Sequence, residues 1–288
     1  MAVTEFVEQT ETSAPVQPLV VRPGTRQPVP LPCHLSQRSL RQRRHLRQRR
    51  QATNWTRVGV LMAAGALPVA AIPLYILGAL PMSWAALLVI PLMAAKTVLI
   101  KRGSTEGRWA GHGMFAGLVA VTAYDGLRIP MAYLTNAWPD FIPRLGGWIT
   151  ESDSGNVPVG YLWRYIGDGG GIAVAFFVFC GVLMNFRPAL VRRHPVLLAL
   201  GYGVFIWLGL LATVVLLPRG TEFLFVPTIE IIVLSLLGHL IYGAVLGLFL
   251  SRIVRRTDEA ERPAIITTAR RTLPTQATAS SSAAAERV

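Results

Sequence analysis

Between residues 58 and 251 the sequence is a succession of apolar runs joined by short polar links. A helix needs about 20 mainly apolar residues to cover roughly 30 Å of hydrocarbon. Spans are expected at about 58–80, 82–100, 109–134, 159–186, 195–218 and 225–250. Lipid offers no hydrogen-bond partners, so each run must satisfy its backbone internally, as a helix. A barrel is disfavoured, because the runs are too long and too uniformly apolar for alternating strands. The fold class read from the sequence is all-α, a polytopic membrane protein with six transmembrane helices. Composition agrees: 15% of residues are charged, against about 25% in a soluble domain.

The fourth run constrains the chain most sharply. Its apolar core, Ile172 to Phe186, has only 15 residues. To reach membrane length it must extend upstream to about Val159, which takes Arg164 and Asp168 with it. Asp168 is flanked by Gly167, Gly169, Gly170 and Gly171, and each glycine costs a helix about 1 kcal/mol. A break or kink is expected there, of the kind through which discontinuous transporter helices present backbone groups to ions.

Charge sets the orientation. Residues 1–57 hold ten Arg against three Glu, and residues 252–288 hold seven Arg against four acids. Lys101, Arg102 and Arg108 follow span two, and Arg187, Arg192 and Arg193 follow span four. The opposite connections carry only Arg144 and Arg219. Six spans put every basic segment on one side, and the positive-inside rule makes that side cytoplasmic, with both termini there. With no signal peptide visible, span one is expected to serve as an internal anchor.

The tails give no periodicity. Residues 1–56 are expected to form a disordered basic cytoplasmic tail, and 252–288 a second disordered tail, around a transmembrane domain over 57–251. The Arg-rich stretch 37–51 is expected near anionic lipid headgroups. Nucleic-acid binding is disfavoured, since no aromatic residues interleave with the arginines. The outer loop, 135–157, carries Trp138 and Trp148 and suggests a short helix at the interface.

No motif specifies chemistry. Cys33 and Cys180 make neither a disulfide framework nor a metal site. There is no P-loop, dinucleotide fingerprint, HExxH or GxSxG, so no catalytic set, cofactor or metal is read from the sequence. What remains is a group of ionisable residues inside the spans, each costing about 2.5–3.5 kcal/mol at the bilayer centre unless partnered. Lys96 lies near Lys101 and is expected to snorkel to the headgroups. Asp125 and Arg128, three apart on span three beside Tyr124, are expected to pair, as are Arg164 and Asp168, four apart on span four. Glu230 lies at similar depth on span six. Together these residues form a candidate polar site, with local ion pairing as the plainer reading.

His239 adds a mid-membrane group. Ser235, His239, Gly243 and Gly247 follow at steps of four on span six, and Gly113 and Gly117 lie on one stripe of span three. Small residues allow close helix contact, so these faces are expected to pack spans three and six together or to receive another membrane protein or a second copy. Residues 111–117 and 238–244 also share a Gly-His-x-x-aromatic-small-small pattern. A duplication on that basis would make a 3+3 inverted repeat. The function expected first is a small-solute or ion transporter. A lipid-modifying or lipid-handling protein comes second, and a scaffold subunit of a membrane complex third.

Overall fold

The computed structural model describes the backbone of residues 53–272 and the side chains of 53–257. The expected N-terminal tail lies almost wholly outside these residues, as does the end of the C-terminal one. Among the described residues the chain is all-α. Asn54 caps α1 (Trp55–Ile76), its side chain accepting from Arg57 N at 3.1 Å. A short link leads to α2 (Met82–Lys101), and Ser104 caps α3 (Thr105–Tyr133) by accepting from Gly107 N at 3.0 Å. A short helix, α4 (Ile142–Thr150), follows in the expected outer loop. Next come α5 (Val157–Phe186), α6 (Pro188–Arg193), α7 (Pro195–Leu216), α8 (Gly220–Phe223) and α9 (Ile229–Thr272).

Five helices are long and apolar enough to cross a membrane: α1, α2, α5, α7 and the Ile229–Thr257 part of α9. The chain is thus a multi-pass membrane protein. The remaining long helix, α3, has 29 residues, about 43 Å at 1.5 Å per residue. It is more polar because it is central. It packs against α5 on one side and α9 on another, while α1 covers α5 and α7 covers α9. Its buried face includes Tyr124, Asp125 and Arg128, which neighbouring helices screen from lipid.

Glycine decides which helices meet. A Cβ on Gly113 would lie 2.7 Å from Ala173 O, and one on Gly117 would lie 2.6 Å from Gly169 O, both on α5. A Cβ on Gly243 would lie 2.7 Å from Ala199 O, and one on Gly247 would lie 2.7 Å from Val196 Cα, both on α7. The two small-residue faces therefore do not pack on each other, contrary to the expectation from the sequence. Each takes a different neighbour. Helices α3 and α9 still meet, through larger groups such as Tyr124 against Gly238 and Phe115 against Phe249.

Three local features differ from expectation. Helix α5 runs unbroken through its glycines, but as a π-helical turn over Trp163–Gly169. Helix α9 continues to Thr272, so residues 252–272 are helical where a disordered tail is expected from the sequence. Lys96 does not snorkel. It is 2% exposed and points at Met114 Sδ on α3, 3.8 Å away.

Candidate functional site

The polar residues of α3 and α5 meet the outer connection in one network. Arg128 uses all three of its guanidinium nitrogens. Nε donates to Asp125 Oδ1 at 3.0 Å, Nη1 to Asp140 Oδ1 at 2.7 Å, and Nη2 to the Tyr161 hydroxyl at 3.0 Å. Asp140 Oδ2 accepts from Tyr133 at 2.7 Å, and Oδ1 also accepts from Ile142 N at 3.1 Å. Asp125 and Arg128 are 1% and 2% exposed. A buried guanidinium is tolerable only when such partners replace its water.

Asp140 lies in the connection between α3 and α4. Burial alone would push its carboxyl up, but the hydrogen bonds from Tyr133 and Arg128 outweigh that and hold it below the ordinary carboxylate value.

The expected Arg164–Asp168 pair does not form. The wider i→i+5 turn takes the two out of the α-helical register that would stack them. Arg164 turns instead to α3. Its Nη2 donates to Asp125 Oδ1 at 3.0 Å, and its guanidinium lies 4.6 Å from the Tyr124 ring centroid, a cation–π distance. Asp168 is 6% exposed and its Oδ1 has no hydrogen-bond partner. Arg164 and, less strongly, Trp163 act on it electrostatically, but Arg164 forms its ion pair with Asp125 instead and the indole N–H makes no hydrogen bond of normal geometry. Backbone groups around the turn are stitched by neighbours: Tyr242 of α9 donates to Gly169 O, and Tyr202 of α7 donates to Ile172 O at 3.0 Å.

His239 stands edge-on to Tyr124, with 5.2 Å between ring centroids. Its Nδ1 lies 2.7 Å from Ser235 O. A carbonyl can only accept, so Nδ1 carries a proton, and in the neutral ring the lone pair is then at Nε2.

These groups form one wall of a cavity of about 460 Å³. Tyr124, Arg128, Arg164, Asp168 and His239 line that wall. Helices α1 and α7 supply an apolar wall, with Met62, Ala66, Val69, Ala70 and Pro73 from one and Phe205, Ile206, Gly209 and Leu210 from the other. Trp138, Phe141, Ile142, Leu224 and Phe225 close the end of the bundle where α3 finishes and α9 begins. All but Phe141 of these five are buried. The side is different. Ala66, Ala70, Phe205 and Gly209 both line the cavity and are exposed, and α1 and α7 are not packed on each other along their lengths. The cavity therefore opens sideways through a seam in the apolar belt.

Of the residues singled out in the sequence, Tyr124, Asp125, Arg128, Arg164, Asp168 and His239 come together here. Glu230 does not; it is exposed at the start of α9. His112 is exposed as well, so the two histidines of the repeated pattern have unlike surroundings. Asp140, Tyr133 and Tyr161 were not anticipated. The Trp138-Pro139-Asp140 sequence offered a weak signal, an acid beside an interfacial tryptophan. Among the described residues no group of three or more His, Cys, Asp or Glu could hold a metal ion.

No protein-family model matches the sequence, and neither a curated protein nor a solved structure matches it.

Proposed function

We propose that this multi-pass membrane protein binds an amphipathic, lipid-like molecule that enters its cavity from the bilayer. The observation that carries this reading is the seam between α1 and α7, where Ala66, Ala70, Phe205 and Gly209 line the cavity and face outward. Sites for small molecules are mostly apolar, with a few placed polar groups, and hold about 300–1,000 Å³. A cavity of about 460 Å³ with one polar wall fits a single chain bearing a polar head. The polar site is Tyr124, Asp125, Arg128, Arg164, Asp168 and His239, with Asp140 holding Arg128 from the α3–α4 connection. The role is lipid handling, with chemistry on the lipid as its extension through His239 and Asp168.

Six crossings accompany this reading, with α3 as the third and both termini cytoplasmic. Loop charges and the central, lipid-screened place of α3 support it. The basic residues before α1 and after α9 then flank the anionic leaflet. A 3+3 inverted duplication rests on the seven-residue pattern alone, and the unlike settings of His112 and His239 weaken it.

Solute transport is a second reading, favoured by the π turn carrying Asp168, because such turns recur at functional sites. The capped end beside Trp138 and Phe225 argues against an aqueous entry and places transport second. A scaffold role finds least support, since the ion pairs border a cavity.

The test is extraction into lipid nanodiscs without detergent, followed by native mass spectrometry. One retained amphiphile per chain is expected. Gly209→Trp and Ala70→Trp add bulk at the seam and should abolish it; a Cβ at Gly209 meets nothing within 4 Å, and an unchanged melting temperature checks that each variant folds. Identical empty spectra for wild type and variants would sink the reading.

A further inference from the structure

We infer that the cavity selects amphiphiles with a cationic amine head, held by Asp168. The inference rests on the proposal that an amphiphile enters from the bilayer. It comes from an accounting of charge on the polar wall. Three carboxylates, Asp125, Asp140 and Asp168, meet two guanidiniums, Arg128 and Arg164. The network pairs Arg128 with Asp125 and Asp140, and Arg164 with Asp125. Among the described residues Asp168 takes part in no ion pair, and its Oδ1 accepts no hydrogen bond although it is 94% buried, being 6% exposed.

A buried carboxylate left in this state is costly, and a charged donor is the partner that compensates it best. An ammonium group supplies both the missing charge and N–H donors. His239, on the same wall with Nδ1 bonded to Ser235 O, offers a lone pair at Nε2 to a further N–H when its ring is neutral. The face of α5 that carries Asp168 continues into the cavity as Ile172 and Ala175, four and seven residues on, so an apolar chain has a surface directly beyond the head.

Other heads fit less well. A phosphate would meet Arg128, whose three nitrogens already donate within the network, and Arg164, of which Nη2 alone is seen to donate, but Asp168 and Asp125 beside them would repel it. A hydroxyl could donate to Asp168 but brings no charge, and hydrogen bonds to an ionised donor are roughly twice as strong as neutral ones.

The experiment uses the full chain in nanodiscs at neutral pH, titrated with dodecylamine, dodecanol and dodecyl phosphate, and reads occupancy by native mass spectrometry against mole fraction in the bilayer. Dodecylamine should bind about tenfold or more tightly than either of the others. That ranking needs no variant, so it stands even if a variant does not fold. In Asp168→Asn and Asp168→Ser the amine should fall to the level of the alcohol while both still bind. Equal or tighter binding of the phosphate to wild type overturns the inference, as does an amine preference that survives in both variants. If none of the three binds, and Gly209→Trp behaves like wild type, the cavity reading falls and the head assignment falls with it. Binding of the alcohol with no amine preference overturns the head assignment alone.

Discussion

Arg164 donates from Nη2 to Oδ1 of Asp125 at 3.0 Å, across to a neighbouring helix. That single bond organises the polar wall. It joins α5 to α3, makes Asp125 the acceptor for two guanidiniums, and frees Asp168 to face the cavity.

Removing the shared acceptor should be severe. Asp125→Ala leaves two arginines without a common partner, and breaking a buried pair costs about 3–5 kcal/mol. A large fall in melting temperature in mild detergent is expected, with Asp125→Asn intermediate because it keeps one acceptor oxygen. Unchanged thermal unfolding of Asp125→Ala would show that the network carries no stability.

Acid should loosen the connection that caps the cavity. The folded-state value of Asp140 lies below its ordinary 3.8. A depressed carboxylate contributes stability that is present above the ordinary value and is lost as pH falls through the folded one. The expected result is destabilisation below about pH 4, together with faster proteolysis of residues 134–141. Asp140→Asn should flatten this acid step and cost about 1–2 kcal/mol at neutral pH through the weakened bond to Arg128. An acid limb of the same size in the variant would assign the effect to another group.

The glycines of α3 should divide by what faces them. A Cβ on Gly117 would lie 2.6 Å from Ala173 Cβ, whereas one on Gly126 meets nothing within 4 Å. Gly117→Ala should destabilise by about 1–3 kcal/mol through overpacking. Gly126→Ala should be neutral or gain up to about 1 kcal/mol of helix propensity. The paired melting temperatures decide, and equal shifts would mean that α3 and α5 are not this close.

Topology can be read directly. Reporter fusions at residue 150 should report the outside, and those at 104 and 190 the cytoplasm. A reversal at any of the three would remove α3 as a crossing or invert the whole protein.

Much of the scaffold was legible in the sequence for a simple reason: hydrocarbon admits only internally bonded helices, so the lengths of apolar runs predict the helices. The first span is expected at about 58–80 and the helix is Trp55–Ile76; the fifth is expected at 195–218 and the helix is Pro195–Leu216. The i,i+3 pairing of Asp125 with Arg128 was legible too, because helical spacing alone brings the two within reach. Where spacing was the only guide it also misled. Arg164 and Asp168 stand four apart, yet a π turn no residue count announced sends Arg164 to Asp125. Lys96 sits near a helix end, yet α3 covers it.

The sequence by itself determined that this chain crosses a membrane repeatedly and must carry charge within it. Tertiary structure alone decided which of those charges are neutralised and which one faces a cavity, because pairing depends on distances between helices that are far apart in the chain. It also decided that Asp168, in the weakest of the predicted spans, is the carboxylate left over. The seam between α1 and α7 has the same origin: the two helices share a cluster at one end, where Ile76 and Val214 join Phe223, Leu224 and Phe225, and Ala66, Ala70, Phe205 and Gly209 elsewhere along them are left exposed beside the cavity.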